Sequence, residues 1–330
     1  MPGSTVTAPS GSEFMVLYLD KADAQLEAFI RSRSRGMKLE FYHRLPDAEK
    51  VRSLAETDCL FTAGAKVDAA VVDRSLNLKF IQKTGAGYDL IDVAAANARG
   101  IPVSTTPGAN ANAVAEYTIA LSLDIMRKVS LLDRETKSGE WGMWKYRLTS
   151  HELRGKTHGI LGMGAIGKQV AALSRAFGTK VSYFDKNRLT AEAENALGIE
   201  YRDFENLLRE ADLLSVHLPL TMETKGLLGD KAFSLMKRGA YLVNVSRGNI
   251  VSEAALEGAL RRGLLAGAAI DVWEREPAFD NALFAFPNVV ASPHVAAGTI
   301  ETLGRVMDQC FENFERVRAG LAPLGTVALA

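Results

Sequence analysis

Short apolar runs alternate with amphipathic segments through the first third of the chain. Each run has the length of a buried strand, and each segment between two runs has the apolar spacing of a helix that packs on one face. Such alternation predicts a parallel sheet flanked by helices. The predicted strands are Phe14–Leu19, Lys38–Tyr42, Cys59–Thr62, Leu78–Gln82 and Pro102–Thr105, and a helix is predicted over Asp89–Arg99.

The same alternation returns in the second half of the chain and predicts a second parallel sheet. Thr106–Gly108 contains proline and glycine and is the expected boundary between the two patterns. The predicted strands of the second sheet are Thr157–Leu161, Lys180–Phe184, Leu213–His217, Gly239–Val245, Ala266–Ile270 and Val289–Ala291, and the predicted helices are Asp203–Arg209, Ser252–Arg262 and Thr299–Arg318.

A long apolar stripe between the two patterns predicts one continuous helix over residues 111–136. Asn110 or Asn112 would cap its start, and Glu116 would lie in its first turn, where negative charge complements the helix dipole. Together with the aromatic-containing loop 138–150, this helix would offer a surface for a homodimer. The stripe consists of Val114, Tyr117, Leu121, Ile125 and Val129.

The segment Thr157–Asp185 combines a strand, a G-x-G-x-x-G turn, a helix and a second strand, the pattern of a dinucleotide-binding unit. Gly162 would permit the tight turn, Gly164 would let the backbone approach a pyrophosphate, and Gly167 would let the helix pack against the strand. The N–H groups at the helix start would receive the phosphates. The cofactor-binding residues predicted in this unit are Gly162, Gly164, Ala165, Ile166, Gly167 and Asp185.

The acidic residue at the end of the second strand indicates which dinucleotide is bound. Asp185 would accept hydrogen bonds from the adenosine ribose hydroxyls, and its charge would repel an added 2′-phosphate. Lys186 and Arg188 follow closely and weaken that exclusion. We therefore expect NAD, with NADP less favoured.

Length and composition are those of a globular protein with two domains. The chain has 330 residues, and its 39 basic and 39 acidic residues balance, so no overall field attracts nucleic acid or an anionic membrane. No apolar run is long enough to span a bilayer. Cys59 and Cys310 do not form a disulfide framework or a zinc motif, so no metal is expected. Residues 1–14 are expected to be a disordered tail or cloning scar without a signal peptide, which favours the cytoplasm.

Several segments of the chain resemble the D-isomer-specific 2-hydroxyacid dehydrogenases. The resemblance extends from about Leu78 onward, and the segments occur in the same order as in that family. Those that contain Arg247, Glu276 and His294 match independently of the glycine turn. The matching segments are Thr84–Asp92, Thr106–Tyr117, Leu153–Gly167, Ala211–Leu220, Val243–Gly248, Asp271–Pro277 and Ser292–Thr299.

The resemblance implies an α/β fold of two doubly wound parallel-sheet domains, with a Rossmann nucleotide domain inserted in a flavodoxin-like substrate domain. The substrate domain would comprise residues 15–108 and 299–330, and the NAD-binding domain would comprise residues 109–298. The resemblance also implies that Asp271 binds the nicotinamide carboxamide and that His217 lies near NAD. The other cofactor-binding residues that it implies are Leu218, Pro219, Val245 and Ser246.

The chemistry of a 2-oxo acid suits the residue types that follow the predicted strand ends, where ligands of open α/β sheets bind. Arg247 has a planar, permanently charged fork for the carboxylate and the carbonyl oxygen. His294 would donate a proton in reduction and accept it in oxidation, and a paired Glu276 would favour its protonated form. The backbone of Gly85, Ala86 and Gly87 would complete the carboxylate cradle. The histidines that fit no motif, and are expected to be structural, are His43, His151 and His158.

An NAD-dependent reductase of small 2-oxo acids is the leading hypothesis, with glyoxylate, hydroxypyruvate or 3-phosphohydroxypyruvate as expected substrates. Phosphite dehydrogenase resembles the same pattern and stays open. A binding protein is the alternative from another class, since corepressors of this superfamily that sense NAD can retain the arginine, glutamate and histidine. A peptide-binding cleft in the first domain would favour the corepressor, and rapid turnover of a 2-oxo acid would favour the enzyme.

Overall fold

The computed structural model describes residues 13–327. Residues 1–12 of the predicted tail lie outside the described residues, so the expectation of a disordered tail stays a prediction. The chain divides into two compact units. The first unit contains the chain up to Ala109 and again from Leu303 onward, and the second unit is the continuous segment Asn110–Thr302.

The first unit contains a parallel sheet, as the alternating pattern predicts. Its elements are β1 (Met15–Tyr18), α1 (Ala24–Arg31), β2 (Lys38–Phe41), α2 (Asp47–Glu56), β3 (Cys59–Thr62), α3 (Ala69–Arg74), β4 (Phe80–Lys83), α4 (Val93–Ala98) and β5 (Val103–Ser104). The strand order is β2-β1-β3-β4-β5 with all neighbours parallel, which is the flavodoxin-like order. Aspartate side chains cap α1, α3 and α4 at Asp23, Asp68 and Asp92.

The C-terminal helix completes the core of the first unit. Phe61 and Phe80 on the sheet pack edge-to-face against Phe314, and Phe311 lies beside Phe61. All four rings are fully buried. Burial of each ring stabilises the fold by roughly 1.5–3 kcal/mol, so the chain that returns after the second unit is part of this core.

The second unit contains a longer parallel sheet that begins after two helices. Its elements are α5 (Ala111–Arg127), α6 (Val129–Lys137), β6 (Thr157–Leu161), α7 (Ala165–Ala176), β7 (Lys180–Phe184), α8 (Ala191–Leu197), β8 (Glu200–Tyr201), α9 (Phe204–Glu210), β9 (Leu213–Val216), α10 (Asp230–Leu235), β10 (Ala240–Asn244), α11 (Glu253–Arg261), β11 (Leu265–Ile270), β12 (Val289–Ala291) and the start of α12 (Ile300–Arg318).

The strand order of the second sheet is β12-β11-β10-β9-β6-β7-β8, and all neighbouring strands are parallel. This is the doubly wound Rossmann arrangement. Successive strands are added on one side of β6 up to β8 and on the other side from β9 onward, so the strand order reverses between β6 and β9. Ligands of such sheets bind at the carboxyl ends of the strands beside that reversal. A ligand site of the second unit is therefore expected at the carboxyl ends of β6 and β9.

The prediction of one continuous helix over residues 111–136 is wrong. The helix is broken at Lys128, which has a left-handed conformation with φ +59° and ends the regular hydrogen-bonding pattern. The Asp124 carboxylate accepts the N–H of Ser130 at 2.8 Å and stabilises the start of the second helix. Val129, expected in the apolar stripe, is 58% exposed.

The predicted caps of α5 are also wrong. Asn110 precedes the helix, but its side chain makes no capping hydrogen bond. The Asn112 amide instead donates to the Glu116 carboxylate at 2.8 Å. No acidic residue lies in the first turn, since Glu116 lies in the second turn of α5. Asn112 and Glu116 therefore pair with each other along the helix and not with its free backbone N–H groups.

The elements α8, β8 and α10 were not anticipated, because each is only two to seven residues long. Such segments have no strong hydrophobic period, and their structure depends on packing against the rest of the fold. Thr190 caps α8 through its side chain. Among residues 13–327, no helix has the length and apolar character needed to cross a membrane.

Candidate active site

The glycine turn after β6 lies where the strand order reverses. Gly162 has φ +98°, and a Cβ at this position would come within 2.8 Å of the His217 backbone after β9. A Cβ on Gly167, in the first turn of α7, would lie 2.1 Å from the Gly162 carbonyl oxygen. The two glycines therefore allow a close approach of α7 and two strand ends that other residues would prevent.

The start of α7 has the features of an anion site. Gly164 precedes the helix, no side chain caps it, and a Cβ at Gly164 would meet no atom within 4 Å. Free N–H groups and the positive end of the helix dipole attract phosphate. Beside the turn, the buried Nδ1 of His217 has no hydrogen-bond partner within residues 13–327. The residues present thus fit a group that carries phosphates, as a dinucleotide does.

Asp185 lies at the carboxyl end of β7 and is fixed beside the glycine turn. One carboxylate oxygen accepts the Met163 N–H at 2.8 Å, and the other accepts the Asn187 N–H at 2.9 Å. An ionised carboxylate can accept about four hydrogen bonds, so each oxygen retains capacity for a hydroxyl donor. This position fits the ribose-binding acid that the sequence predicts.

Arg247 lies in the loop after β10, beside the segment that follows β11. A Cβ on the next residue, Gly248, would lie 1.9 Å from the Trp273 carbonyl carbon, so the two loops touch through their backbones. Arg247 is half-buried, and its Nη1 donates to the Ser246 carbonyl at 2.8 Å. Glycine at position 248 thus brings the Arg247 loop and the Glu276 loop together.

His294 and Glu276 form a close pair. Nδ1 of His294 lies 2.7 Å from one Glu276 carboxylate oxygen, and the other oxygen accepts the Trp273 N–H at 3.0 Å. The His294 side chain is 46% exposed and that of Glu276 is 37% exposed. The imidazole is therefore oriented by a carboxylate and still open to a ligand.

The charge state of Glu276 follows from its partners. Partial burial raises the pKa of its carboxyl group, but the His294 hydrogen bond, the Trp273 N–H and the charges of His294 and Arg247 outweigh burial and lower that pKa. Glu276 is consequently an anion at neutral pH. An ionised carboxylate can only accept hydrogen bonds, so Nδ1 of His294 is the donor in the 2.7 Å contact.

Asp271 is fully buried beneath the loop that carries His294. Its carboxylate accepts the Ser292 hydroxyl at 2.6 Å and the N–H groups of Val295 and Ala296, each at 2.9 Å. Its backbone carbonyl accepts the His294 N–H at 2.7 Å. Asp271 therefore holds the His294 loop in place.

The other predicted cofactor-binding residues lie at the ends of β9 and β10. Leu218 is half-buried and Pro219 is exposed, and both directly follow His217. Val245 is buried, and the Ser246 hydroxyl donates to the Asn244 side chain at 3.0 Å. These positions share the carboxyl edge of the sheet with the glycine turn and Arg247.

One buried hydrogen-bond chain joins His217, which follows β9 at this edge, to His158 near the start of β6. Nε2 of His158 and Nε2 of His217 each lie 2.9 Å from the Ser215 hydroxyl, and Nδ1 of His158 lies 2.8 Å from the Ser174 hydroxyl. Burial lowers the pKa of both imidazoles to about 3, with a further contribution of His158 to the lowering at His217. Both rings are therefore neutral at physiological pH.

In the first unit, the predicted glycine loop follows β4. Gly85 has φ +76°, and its N–H donates to the Thr106 hydroxyl at 2.7 Å. Ala86 is exposed and Gly87 is half-buried. The Gly85 N–H is thus used within the fold, whereas the sequence suggested that all of this loop could face an anion.

Sequence reasoning missed two residues that position the pair. Trp273 donates its backbone N–H to Glu276 and its indole N–H to the Ser292 carbonyl at 3.0 Å. Ser292 in turn donates its hydroxyl to Asp271. Trp273 precedes Glu276 by three residues and Ser292 precedes His294 by two. This closeness in sequence is the signal that could have identified them.

Known proteins similar to this chain identify its class. The family model described as "D-isomer specific 2-hydroxyacid dehydrogenase, NAD binding domain" matches residues 119–296 of this chain. A glyoxylate reductase of Aeropyrum pernix is 44% identical, over 84% of this chain and 85% of its own length. A D-3-phosphoglycerate dehydrogenase of Archaeoglobus fulgidus is 40% identical over 83% of this chain, which spans only 52% of that relative.

A similar structure has been solved for D-lactate dehydrogenase of Aquifex aeolicus in complex with NAD and lactic acid. Its TM-score is 0.83 at 26% identity, over 92% of this chain and 96% of the other. The fold and its site define an oxidoreductase that uses a nicotinamide dinucleotide. The chain belongs to the D-isomer specific 2-hydroxyacid dehydrogenase family and acts on 2-hydroxy acids of D configuration. The predicted family, fold class and enzyme class are confirmed.

Proposed function

We propose that the protein reduces small 2-oxo acids with NADH and oxidises the corresponding D-2-hydroxy acids with NAD. Glyoxylate, hydroxypyruvate and 3-phosphohydroxypyruvate are the proposed substrates, since the relatives include a glyoxylate reductase and a D-3-phosphoglycerate dehydrogenase. The observation that carries the proposal is the 2.7 Å pair of His294 and Glu276, on the same sheet edge as Arg247.

Arg247 is proposed to bind the substrate carboxylate and polarise the ketone oxygen. Its guanidinium is charged at every physiological pH and presents parallel N–H donors to two oxygens. A nicotinamide dinucleotide bound at this site would supply the hydride in reduction and accept it in oxidation. His294 delivers a proton to the ketone oxygen in reduction and removes it from the hydroxyl in oxidation, and Glu276 stabilises the imidazolium.

The dinucleotide is proposed to be held by the glycine turn and Asp185, with Leu218, Pro219, Val245, Ser246 and Asp271 completing the cofactor site. The preference for NAD rests on Asp185, because its carboxylate can accept hydrogen bonds from ribose hydroxyls and repels a phosphate at the same place. Two backbone N–H groups fix that carboxylate, so it cannot turn away from the phosphate without losing both bonds.

We assign residues 15–108 and 299–330 to a substrate domain and residues 109–298 to an NAD-binding domain. The limits of the two compact units, at Ala109 and Leu303, support this assignment. In the substrate domain, Gly85–Gly87 is the proposed carboxylate-binding loop. Because the Gly85 N–H already donates to Thr106, the N–H groups of Ala86 and Gly87 are the proposed donors.

A homodimer through α5, α6 and the following loop is also proposed. The loop exposes large apolar side chains: Trp141 is 80%, Trp144 is 64% and Leu148 is 95% exposed. Several large apolar side chains exposed on one loop are typical of protein–protein interfaces. Sedimentation should give a dimer for the wild type and a monomer for Trp141→Ser/Trp144→Ser. A monomeric wild type at micromolar concentration would contradict the dimer.

The activity is tested by following NADH absorbance with a panel of 2-oxo acids that includes the three proposed substrates. Oxidation of NADH should be fastest with one of them and should fall sharply in Arg247→Lys, which keeps the charge but loses the planar fork. Arg275→Lys, an exposed arginine outside the pair, is the matched control. No NADH oxidation with any 2-oxo acid at millimolar concentration would refute the proposal.

A further inference from the structure

We propose that Glu194 is a specificity-determining residue that disfavours NADP by holding Arg188 in a fixed pair away from the ribose-binding acid. The inference rests on the proposed NAD preference and assigns part of it to a residue outside the dinucleotide fingerprint. Asp185 would supply repulsion of a 2′-phosphate, and Glu194 would withhold the nearest arginine that could attract it.

Arg188 is close in sequence to the acid beside which a 2′-phosphate would be recognised. It follows Asp185 by three residues, in the loop after β7. That loop folds back on the acid, since the Asp185 carboxylate accepts the Asn187 N–H at 2.9 Å. In dinucleotide-binding folds, an arginine close to this position accommodates the phosphate of NADP. The sequence alone therefore leaves a cation available beside the acid.

The structure shows what this cation does. Nε of Arg188 donates to one Glu194 oxygen at 2.8 Å, and Nη2 donates to the other at 3.0 Å, so the pair is bidentate. The guanidinium also lies over the Tyr201 ring, 4.7 Å from its centroid. Two charge-assisted bonds and a stacked ring hold Arg188 more firmly than an ordinary surface ion pair.

Glu194 is itself held in place. It lies on α8 and is only 8% exposed, and the Tyr183 hydroxyl donates to it at 2.8 Å. The Tyr183 oxygen in turn accepts the Leu189 N–H at 2.9 Å. The Arg188 hydrogen bonds, and then that of Tyr183, lower the pKa of the Glu194 carboxyl group to about 2. The carboxylate is thus charged at every physiological pH and cannot release Arg188 by protonation.

The pair affects the two cofactors differently. To reach a 2′-phosphate, Arg188 would have to give up two hydrogen bonds and leave Glu194 as a nearly buried anion without a cation beside it, which is costly. NAD has no phosphate at this position and makes no such demand. Lys186, the other nearby cation, pairs with Glu223 only at 3.7 Å, and both side chains are more than 70% exposed. A pair of that kind has little influence on binding, so discrimination depends on Arg188.

The test measures binding without substrate. Dissociation constants of NADH, NADPH and adenosine 2′,5′-bisphosphate are compared for the wild type and Glu194→Gln, which keeps the side-chain size and removes the charge. We expect NADPH and the bisphosphate to bind roughly tenfold more tightly in the variant, the worth of a charge-assisted hydrogen bond. NADH affinity should stay within about twofold, a change too small for one hydrogen bond.

Three further variants separate the explanations. Glu192→Gln, an exposed glutamate on the same helix, is the matched control and should change nothing. Arg188→Ala in the Glu194→Gln background should abolish the gain for NADPH. Arg188→Ala alone should leave NADPH affinity unchanged, and a loss in that variant would overturn the proposal, because Arg188 would then already contact the phosphate.

Asp185→Ala distinguishes failure of this proposal from failure of the proposed function. If Asp185→Ala improves NADPH binding and Glu194→Gln does not, the role of Glu194 is refuted and the NAD site stands. If the wild type binds neither dinucleotide, the cofactor assignment itself fails. Should Glu194→Gln fold poorly, Tyr183→Phe removes the hydroxyl that orients Glu194; it should give a smaller gain in NADPH affinity, and no gain would refute the proposal.

Discussion

Nδ1 of His294 lies 2.7 Å from a carboxylate oxygen of Glu276, although the His294 backbone is left-handed with φ +57°. A residue with a side chain is uncommon in that conformation and needs support from its surroundings. Asp271 provides the support, since its carbonyl accepts the His294 N–H and its carboxylate accepts the next two N–H groups. Asp271 therefore fixes the backbone of residues 294–296, from which the exposed imidazole reaches Glu276.

Replacing the imidazole should stop proton transfer without unfolding the protein. We expect His294→Gln to lower kcat for reduction by ~10²–10⁴, the usual contribution of a general acid. The side chain is 46% exposed, so little packing is lost, and NADH affinity should be retained. His151→Gln, an exposed histidine outside the pair, is the control. Unchanged turnover in His294→Gln would remove this residue from the mechanism.

The pH dependence should report the charge of Glu276. Its lowered pKa keeps it anionic from mildly acidic pH upward, and in that range it accepts a charge-assisted hydrogen bond from Nδ1 of His294. The carboxylate is protonated as the pH falls through its lowered pKa, and the charge-assisted bond is then lost, so the wild type should show an acidic limb below the ordinary pKa of a glutamate. Glu276→Gln has no carboxylate to titrate, so this limb should be absent and kcat at neutral pH should be lower.

The same profiles provide the control for this prediction. Glu274→Gln changes an exposed glutamate in the same loop and should leave the acidic limb in place. The dissociation constant of NADH should be similar in the wild type and in Glu276→Gln. An acidic limb that persists in Glu276→Gln would mean that a group other than Glu276 controls it.

Much of the site could be predicted because its residues follow strands. Arg247, Asp271 and His294 come after apolar runs, and parallel strands end at one edge of a sheet. The contact of Glu276 with His294 came from the family resemblance, since the loop between β11 and β12 has no period that fixes its path. Structure was needed to show how that loop is held.

The misses have physical causes of the same kind. The break at Lys128 depends on one left-handed residue, and lysine gives no signal for that conformation. The pair of Glu194 with Arg188 joins a polar loop to a short helix that has no apolar stripe. The role of Asp271 beneath the loop requires knowledge of three donors that come from Ser292, Val295 and Ala296.

Gly248 should be intolerant of a side chain. A Cβ there would lie 1.9 Å from the Trp273 carbonyl carbon, so Gly248→Ala must separate the Arg247 loop from the loop that holds Glu276. We expect a loss of about 1–3 kcal/mol in the free energy of unfolding, as for overpacking, and a lower kcat/KM. Urea denaturation and steady-state kinetics measure both.

The control is Gly258→Ala in α11, where the nearest atom to an added Cβ is the flexible end of Arg262 at 3.5 Å. Alanine in a helix is favoured over glycine by about 0.5–1 kcal/mol, so this variant should be as stable as the wild type or more stable. Equal stability of Gly248→Ala and Gly258→Ala would show that the two loops can separate freely.

Asp271→Asn should disturb both stability and catalysis. The carboxylate is fully buried and accepts a hydroxyl and two N–H groups, whereas an amide replaces one acceptor oxygen by a donor. At least one N–H would then face another N–H, and an unsatisfied buried donor costs about 1–3 kcal/mol in the free energy of unfolding. Since the same groups hold the His294 backbone, kcat should fall as well.

Ser292→Ala is the matched variant, because it removes only one of the three bonds to Asp271 and leaves both N–H groups paired. Its cost should be near 1 kcal/mol, the net worth of one hydrogen bond, with a smaller fall in kcat than in Asp271→Asn. Urea denaturation and steady-state kinetics on the two proteins make the comparison. If Asp271→Asn lost no more stability than Ser292→Ala, the N–H groups of Val295 and Ala296 would not depend on the carboxylate, and another interaction would have to hold His294 in its left-handed conformation.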